Sequence, residues 1–356
     1  MMKGALLAAI MAIVAVDSSL GFATSGFLPA LRFRAGRSSS VLSSTPRMAA
    51  SPLNPPPGKK GGFFRGLKES IEYIVNGDEF IRKYTKEFGP IFSATIFFRP
   101  TVVVGGVDVV GEFLQKEKGI AYSSLPGPLQ KLMTTKNVLL QTGDEHKNSR
   151  KNFAPLLSST ALNKYIPTIE KRVDEYLDSI AARGETALAK DFTAFCLQLY
   201  AEIFSGEPLS EEEEKLFVTY NAGLFALTDW EPSFNKAKAA RETLETNLQK
   251  RFEAARDAGR LGEDKYTAQR MFAEGKFLDG TPFDSYMVGY STTQFIWGAY
   301  IETASLMSSS IIALMTRPDV SKTALDEAKG AGVLAGGADY ATWNLPYTNG
   351  ILRECL

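Results

Sequence analysis

The sequence is short of the residues that much enzyme chemistry leans on. It holds one histidine, His146, and two cysteines, Cys196 and Cys355. A single histidine excludes the H-E-x-x-H zinc proteases and any mechanism that needs two imidazoles. Two cysteines cannot build a disulfide scaffold or a Cys-rich zinc site, and no metal-ligating set is expected within the chain. Charge of either sign is not in excess: 40 Lys and Arg stand against 40 Asp and Glu. That balance argues against nucleic acid as a partner, because phosphate contacts need a basic surplus. There is no P-loop, and no period of 20–50 residues that would mark a solenoid or propeller. What remains is ordinary globular composition, 44% hydrophobic and 22% charged.

The charge is unevenly spread. Residues 1–68 carry nine basic residues and one acid, Asp17, leaving 31 basic and 39 acidic residues in the rest. Ala5 to Val16 is an unbroken apolar run of 12 residues, the length of a signal-peptide core and well short of the roughly 20 that span a bilayer. Gly21-Phe22-Ala23 follows as a cleavage-like step, so residues 1–22 read as signal-like. From Ser18 to Lys68 there is no acid, and Arg32, Arg34, Arg37 and Arg47 are scattered among serines, the composition of a transit peptide. This arrangement resembles the two-part presequences of algae with secondary plastids and places the protein in a plastid. The alternative is an uncleaved signal anchor in the endoplasmic reticulum membrane. Residues 23–57 then form a basic linker closed by a proline-rich hinge, and folding begins at 58–356.

The body reads as mostly helix with one small sheet near its start. Ile71 to Tyr84 predicts a helix ending at Gly89-Pro90, and Ile91–Phe98 with Thr101–Val104 predicts a hairpin turning through Arg99-Pro100. Helical spacing covers Asp108–Lys116, Asp144–Leu157, Ala161–Ala181, Leu188–Phe204 and Ser210–Leu227. Ser210 and Glu213 form a capping box. Phe234–Ala258 predicts a long charged helix with Arg241, Glu245 and Lys250 facing solvent. Tyr286–Met315 predicts a long apolar helix through the middle of the protein.

Several motif fragments carry little. Gly330-Ala331-Gly332-Val333-Leu334-Ala335 spells a dinucleotide fingerprint but follows a helix, so it reads as a loop. Cys196 lies in an apolar helical stretch and reads as a buried packing thiol. Two places hold polar residues that packing alone does not choose. His146 and Arg150 share one helix face by i, i+4 spacing. Glu302-Thr303 sits inside the apolar Tyr286–Met315 helix, where an acid and a hydroxyl are costly unless paired or used, and where a Thr ordinarily bonds back to its own helix.

Taken in order, these segments resemble the cytochrome P-450 superfamily of haem-thiolate monooxygenases. Pro55-Pro56-Pro57-Gly58 is similar to its hinge, and Phe88-Gly89-Pro90 followed by Val102-Val103-Val104 to its first helix and sheet. Gly143 to Phe153 resembles the W-x-x-x-R helix, with His146 in place of Trp. Ala299-Tyr300-Ile301-Glu302-Thr303-Ala304 resembles the [AG]-G-x-[DE]-T-[TS] motif, with Tyr300 in place of its Gly. Leu345 to Leu356 resembles the start of the E-x-x-R helix, Glu354 being its Glu. Within the superfamily, Gly77-Asp78-Glu79-Phe80, His146 and Phe234 to Arg241 look most like the branch oxidising retinoids and apocarotenoids.

The resemblance implies a mainly α fold, the N-terminal two-thirds of the P-450 fold with its small sheet. It implies haem b as cofactor, with Arg150 on a propionate, His146 supporting the other nitrogen, and Ala299 among the cofactor-binding residues. Glu302 and Thr303 would be the acid–alcohol pair that supplies protons. Phe295, Ala299, Tyr300 and the 121–140 loop would line a pocket for a lipophilic substrate such as a carotenoid, apocarotenoid, retinoid or sterol-like molecule. Electrons would come from NAD(P)H through ferredoxin or a reductase, with a membrane surface as a further partner. The sequence stops one residue before the expected Arg, so the expectation is a fragment without the axial Cys. The rival reading is a non-enzymatic helical binding protein derived from a P-450.

Overall fold

The computed structural model describes residues 55–59, 62–97, 99–116, 125–226 and 228–356. The signal-like segment, most of the basic linker, and residues 121–124 of the expected pocket loop lie outside the described residues. The described chain falls into two compact units, one ending at Lys131 and one spanning Leu132–Leu356.

The first unit begins at the proline hinge, which adds a short parallel bridge to a hairpin. Ser93 donates its N–H to Pro57 O at 2.8 Å and its hydroxyl to Pro56 O at 3.0 Å. A Cβ at Gly58 would fall 2.2 Å from Ser93 O, so only glycine allows this approach. Helices α1 (Phe63–Val75) and α2 (Gly77–Phe88) replace the single helix expected there. Asn76 separates them because its side chain caps α2, accepting from Glu79 N–H at 3.4 Å. Strands β1 (Ile91–Ile96) and β2 (Arg99–Val104) pair antiparallel from Ile91 with Val104 to Ile96 with Arg99. Arg99-Pro100 therefore lies in β2 rather than in the turn. Buried Glu69 joins the pieces, accepting from Tyr84 OH at 2.9 Å and Thr95 N–H at 2.8 Å. Helix α3 (Val107–Lys116) follows, and α4 (Gly127–Met133) ends just past the unit boundary.

The second unit is built mainly of helices, α5 (Gly143–Phe153), α6 (Ser159–Arg183), α7 (Leu188–Ser205), α8 (Glu211–Ala222), α9 (Pro232–Asp257), α10 (Thr267–Ala273), α11 (Ser285–Thr316), α12 (Pro318–Gly330) and α13 (Pro346–Cys355), with one antiparallel bridge between Lys276 and Pro282. The capping box of Ser210 and Glu213 is present, and buried Glu213 also pairs with Arg251 of α9. Helix α11 is the long central element, packed between α7 and α9. Gly289 makes its closest approach to α9, where a Cβ would meet Glu245 O at 2.6 Å and Gln249 N at 2.7 Å. Phe295 of α11 fills the junction of four helices, its ring 4.9 Å from Phe153, 5.1 Å from Phe272 and 5.6 Å from Phe204. Each such burial contributes about 1.5–3 kcal/mol, so this cluster holds α5, α7 and α10 against α11. The start of α13 is tied to α12 through Glu327, which accepts from Tyr347 N–H at 2.7 Å and Thr348 N–H at 2.8 Å.

Candidate functional site

Helix α5 is polar on nearly every side, so its orientation is set by hydrogen bonds and one aromatic ring. Asn148 and Asn152 donate to Lys276 O at 2.8 and 2.7 Å, while Ser149 and Phe153 are buried. These four residues form the face that docks. His146 and Arg150, one turn apart, flank Phe153 at the margin of that face and are exposed. Among the described residues neither side chain has a hydrogen-bond or ion-pair partner. Acidic Asp144 and Glu145 sit in the first turn, where the helix dipole favours them, and Lys147 pairs with Asp144 rather than competing for that face.

Helix α11 carries the other expected residues, and successive side chains on it project about 100° apart. Thr303 is buried, and its hydroxyl lies 2.9 Å from the hydroxyl of Tyr200 on α7. Thr292, Thr293, Ser308 and Thr316 of the same helix bond back to carbonyls four residues earlier. Thr303 thus reaches across a helix seam where its neighbours do not. Glu302 lies on the half-buried side shared with Gly298 and Ile301. Ala299 is buried, and Tyr300 is buried with its ring 6.3 Å from Phe217. Burial, and next the charge of Glu302, push the Tyr300 phenol up. Glu354 stands exposed on α13 without a partner among the described residues.

A second polar group was not expected. Arg241 and Glu245 of α9 are buried, at 5% and 3% exposure, not solvent-facing; only Lys250 of that trio is exposed. The reason is helical phase. Both follow the apolar stripe of Ala237, Leu244, Leu248 and Phe252 that packs toward the core. Burial pushes the Glu245 carboxyl up to about 6, against the opposing pull of Arg241. Nearby, Asn137 donates to Gln294 at 2.8 Å and Tyr220 meets the same amide at 3.3 Å.

The cysteines belong to the packing. Cys196 is buried with its Sγ 3.5 Å from Met307 Sδ, and burial pushes its thiol up. Cys355 is half-buried against the core at the end of α13. Among the described residues no helix is long and apolar enough to cross a membrane.

The family model for cytochrome P450 matches residues 56–356. Human cytochrome P450 26B1 is 25% identical over 289 residues, covering 79% of this chain and 56% of that protein. A putative cytochrome P450 120 of Synechocystis is 25% identical over 228 residues, 63% of this chain and 50% of that protein. The chain thus spans about half the length of these relatives. The solved structure of retinoic acid-bound cyanobacterial CYP120A1 overlays with a TM-score of 0.75 at 22% identity, covering 86% of this chain and 69% of that one.

Proposed function

Because the chain belongs to the cytochrome P450 family, whose members are monooxygenases, we propose that it serves a haem-dependent hydroxylation of a lipophilic molecule of the retinoid or apocarotenoid kind. The observation that carries this reading is the exposed, unpartnered face of His146 and Arg150 on α5. The residues present fit a haem. A guanidinium with no competing carboxylate is free to take a propionate in two parallel hydrogen bonds. His146, one turn earlier, is placed to donate to the second propionate. Phe153 at the end of α5 touches Phe295, which sets this face beside α11. The retinoic acid held by the structurally similar cyanobacterial protein supports the substrate class.

Bound haem supplies the oxygen chemistry, and the protein supplies orientation, exclusion of water and protons. In this chain Arg150 and His146 bind and orient. Glu302, half-buried, exchanges protons with solvent. Thr303 shares its hydroxyl with that of Tyr200 and keeps a further lone pair or its own proton to hold or pass one. Ala299, Tyr300 and Phe295 give the apolar wall. Electrons come from NAD(P)H through a ferredoxin or a reductase. Residues 1–57 direct the chain to a plastid, which a fluorescent fusion of that segment tests by its site of accumulation.

The reading is tested by producing the 356-residue chain with haem precursor supplied and measuring co-purified haem. One haem per chain is expected. Protein that is folded and free of haem, and that takes up none when hemin is added, would overturn it.

A further inference from the structure

Helix α5 bears Arg150 and His146, yet apolar packing does little to hold it. Of its 11 residues only Ser149 and Phe153 are buried, and Phe153 lies in the last turn. A helix anchored by one ring at one end keeps a soft degree of freedom, rotation about its own axis. The side chains that fix this rotation are the half-buried amides of Asn148 and Asn152, one turn apart. At about 100° per residue they project to the side of α5 opposite Arg150.

Their partner is a backbone edge. Residues 275–283 form a small hairpin in which Phe277 N–H donates to Thr281 O at 2.8 Å and Phe283 N–H donates to Gly275 O at 2.9 Å. Lys276 and Pro282 face each other between those bonds as a non-hydrogen-bonded pair, so the N–H and C=O of Lys276 point outward. Helix α5 takes both. Lys276 O accepts from Asn148 at 2.8 Å and from Asn152 at 2.7 Å, and Lys276 N–H donates to Asn152 Oδ1 at 3.3 Å. The Asn152 amide therefore pairs with this edge as a neighbouring strand would. The hairpin is braced by the rings of Phe277 and Phe283, 4.8 Å apart, and leads straight into Asp284, the N-cap of α11.

We propose that Asn152, assisted by Asn148, is a positioning residue: it sets the roll of α5 on the Lys276 edge and so aims Arg150 at a haem propionate. This rests on the haem reading above and deepens it by naming what orients the guanidinium. A roll of about 20° carries a group about 6 Å from a helix axis through roughly 2 Å. Two parallel N–H···O bonds of about 2.7–3.2 Å do not survive such a shift. The clamp touches neither Arg150 nor the propionate, so it acts through Arg150 alone.

The test is a double-mutant cycle on the full chain. Hemin is titrated into the wild type, Asn152→Ala, Arg150→Gln and the double variant, followed by visible absorbance, with a thermal melt of each to show that it is folded. Asn152→Ala is expected to weaken hemin binding about fivefold. Once Arg150 is replaced by Gln, the same substitution is expected to change nothing further, because no guanidinium is left to aim. A merely structural role would instead give the same loss in both backgrounds, and that result would overturn the proposal. So would unchanged hemin binding in folded Asn152→Ala. Should Asn152→Ala fail to fold, Asn148→Ala, which removes a single donor, takes its place in the cycle, with a loss of about twofold that again depends on Arg150. A wild type that takes up haem while the cycle is additive contradicts this inference alone. A wild type that takes up none contradicts the haem reading, and this inference falls with it.

Discussion

The hydroxyls of Tyr200 and Thr303 lie 2.9 Å apart, buried in the seam between α7 and α11 and 103 residues apart in sequence. Thr303 has an alternative acceptor in its own helix, the carbonyl of Ala299, which its neighbours' pattern shows to be within normal reach. Its choice of Tyr200 fixes the rotation of α11 against α7. A double-mutant cycle of Tyr200→Phe and Thr303→Val, followed by chemical denaturation, should give a coupling of about 0.5–1.5 kcal/mol. Additive losses would show that the pair is incidental.

The close crossing of α9 and α11 rests on Gly289. Replacing it with alanine puts a methyl 2.6 Å from Glu245 O and 2.7 Å from Gln249 N. Backbone atoms cannot rotate away, so the helices must separate. Gly289→Ala should cost about 1–3 kcal/mol in stability, whereas Gly298→Ala, with nothing near its Cβ, should be neutral or stabilising.

Glu245 gives stability a pH dependence with a definite sign. Its folded pKa of about 6 lies above its ordinary 4.5. The unfolded chain therefore loses this proton first as pH rises. Stability from this group is fully present below about pH 4.5 and is lost as pH rises through about 6, a change of about 2 kcal/mol. Glu245→Gln should flatten the stability profile over that window, measured by thermal melts at fixed ionic strength. An unchanged slope would contradict the buried position of the carboxyl.

The two thiols should differ in reactivity. Cys196 is sealed against Met307 and Cys355 is half-buried near the end of α13. A thiol reagent should label Cys355 in the native protein and reach Cys196 only on unfolding. Two equivalents reacting at one rate under native conditions would contradict the packing described for α7.

Much of the helical order was legible from apolar spacing in α6, which buries one stripe, and from the long apolar run of α11, whose residues Met287 to Ile296 are buried on every side. The break at Asn76 was not, since one capping side chain outweighs continuous periodicity across it. The hairpin turn was misplaced because Arg99-Pro100 reads as a turn, yet Pro100 is tolerated in a two-stranded edge. His146 and Arg150 were legible as a pair from i, i+4 spacing alone. Tyr200 was not, because nothing local links it to a residue in α11. Arg241 and Glu245 could have been found. Their i, i+4 spacing reads as a surface ion pair, but both lie in phase with Ala237, Leu244, Leu248 and Phe252, and phase decides burial.

The central claim is that the free face of α5 holds a haem through Arg150. Hemin titration of the wild type, Arg150→Gln and the neighbouring exposed Lys151→Gln, followed by visible absorbance, tests it directly. The account predicts saturation at one haem per chain, weakening of about tenfold in Arg150→Gln, and little change in Lys151→Gln. Equal affinity in Arg150→Gln and the wild type would contradict it.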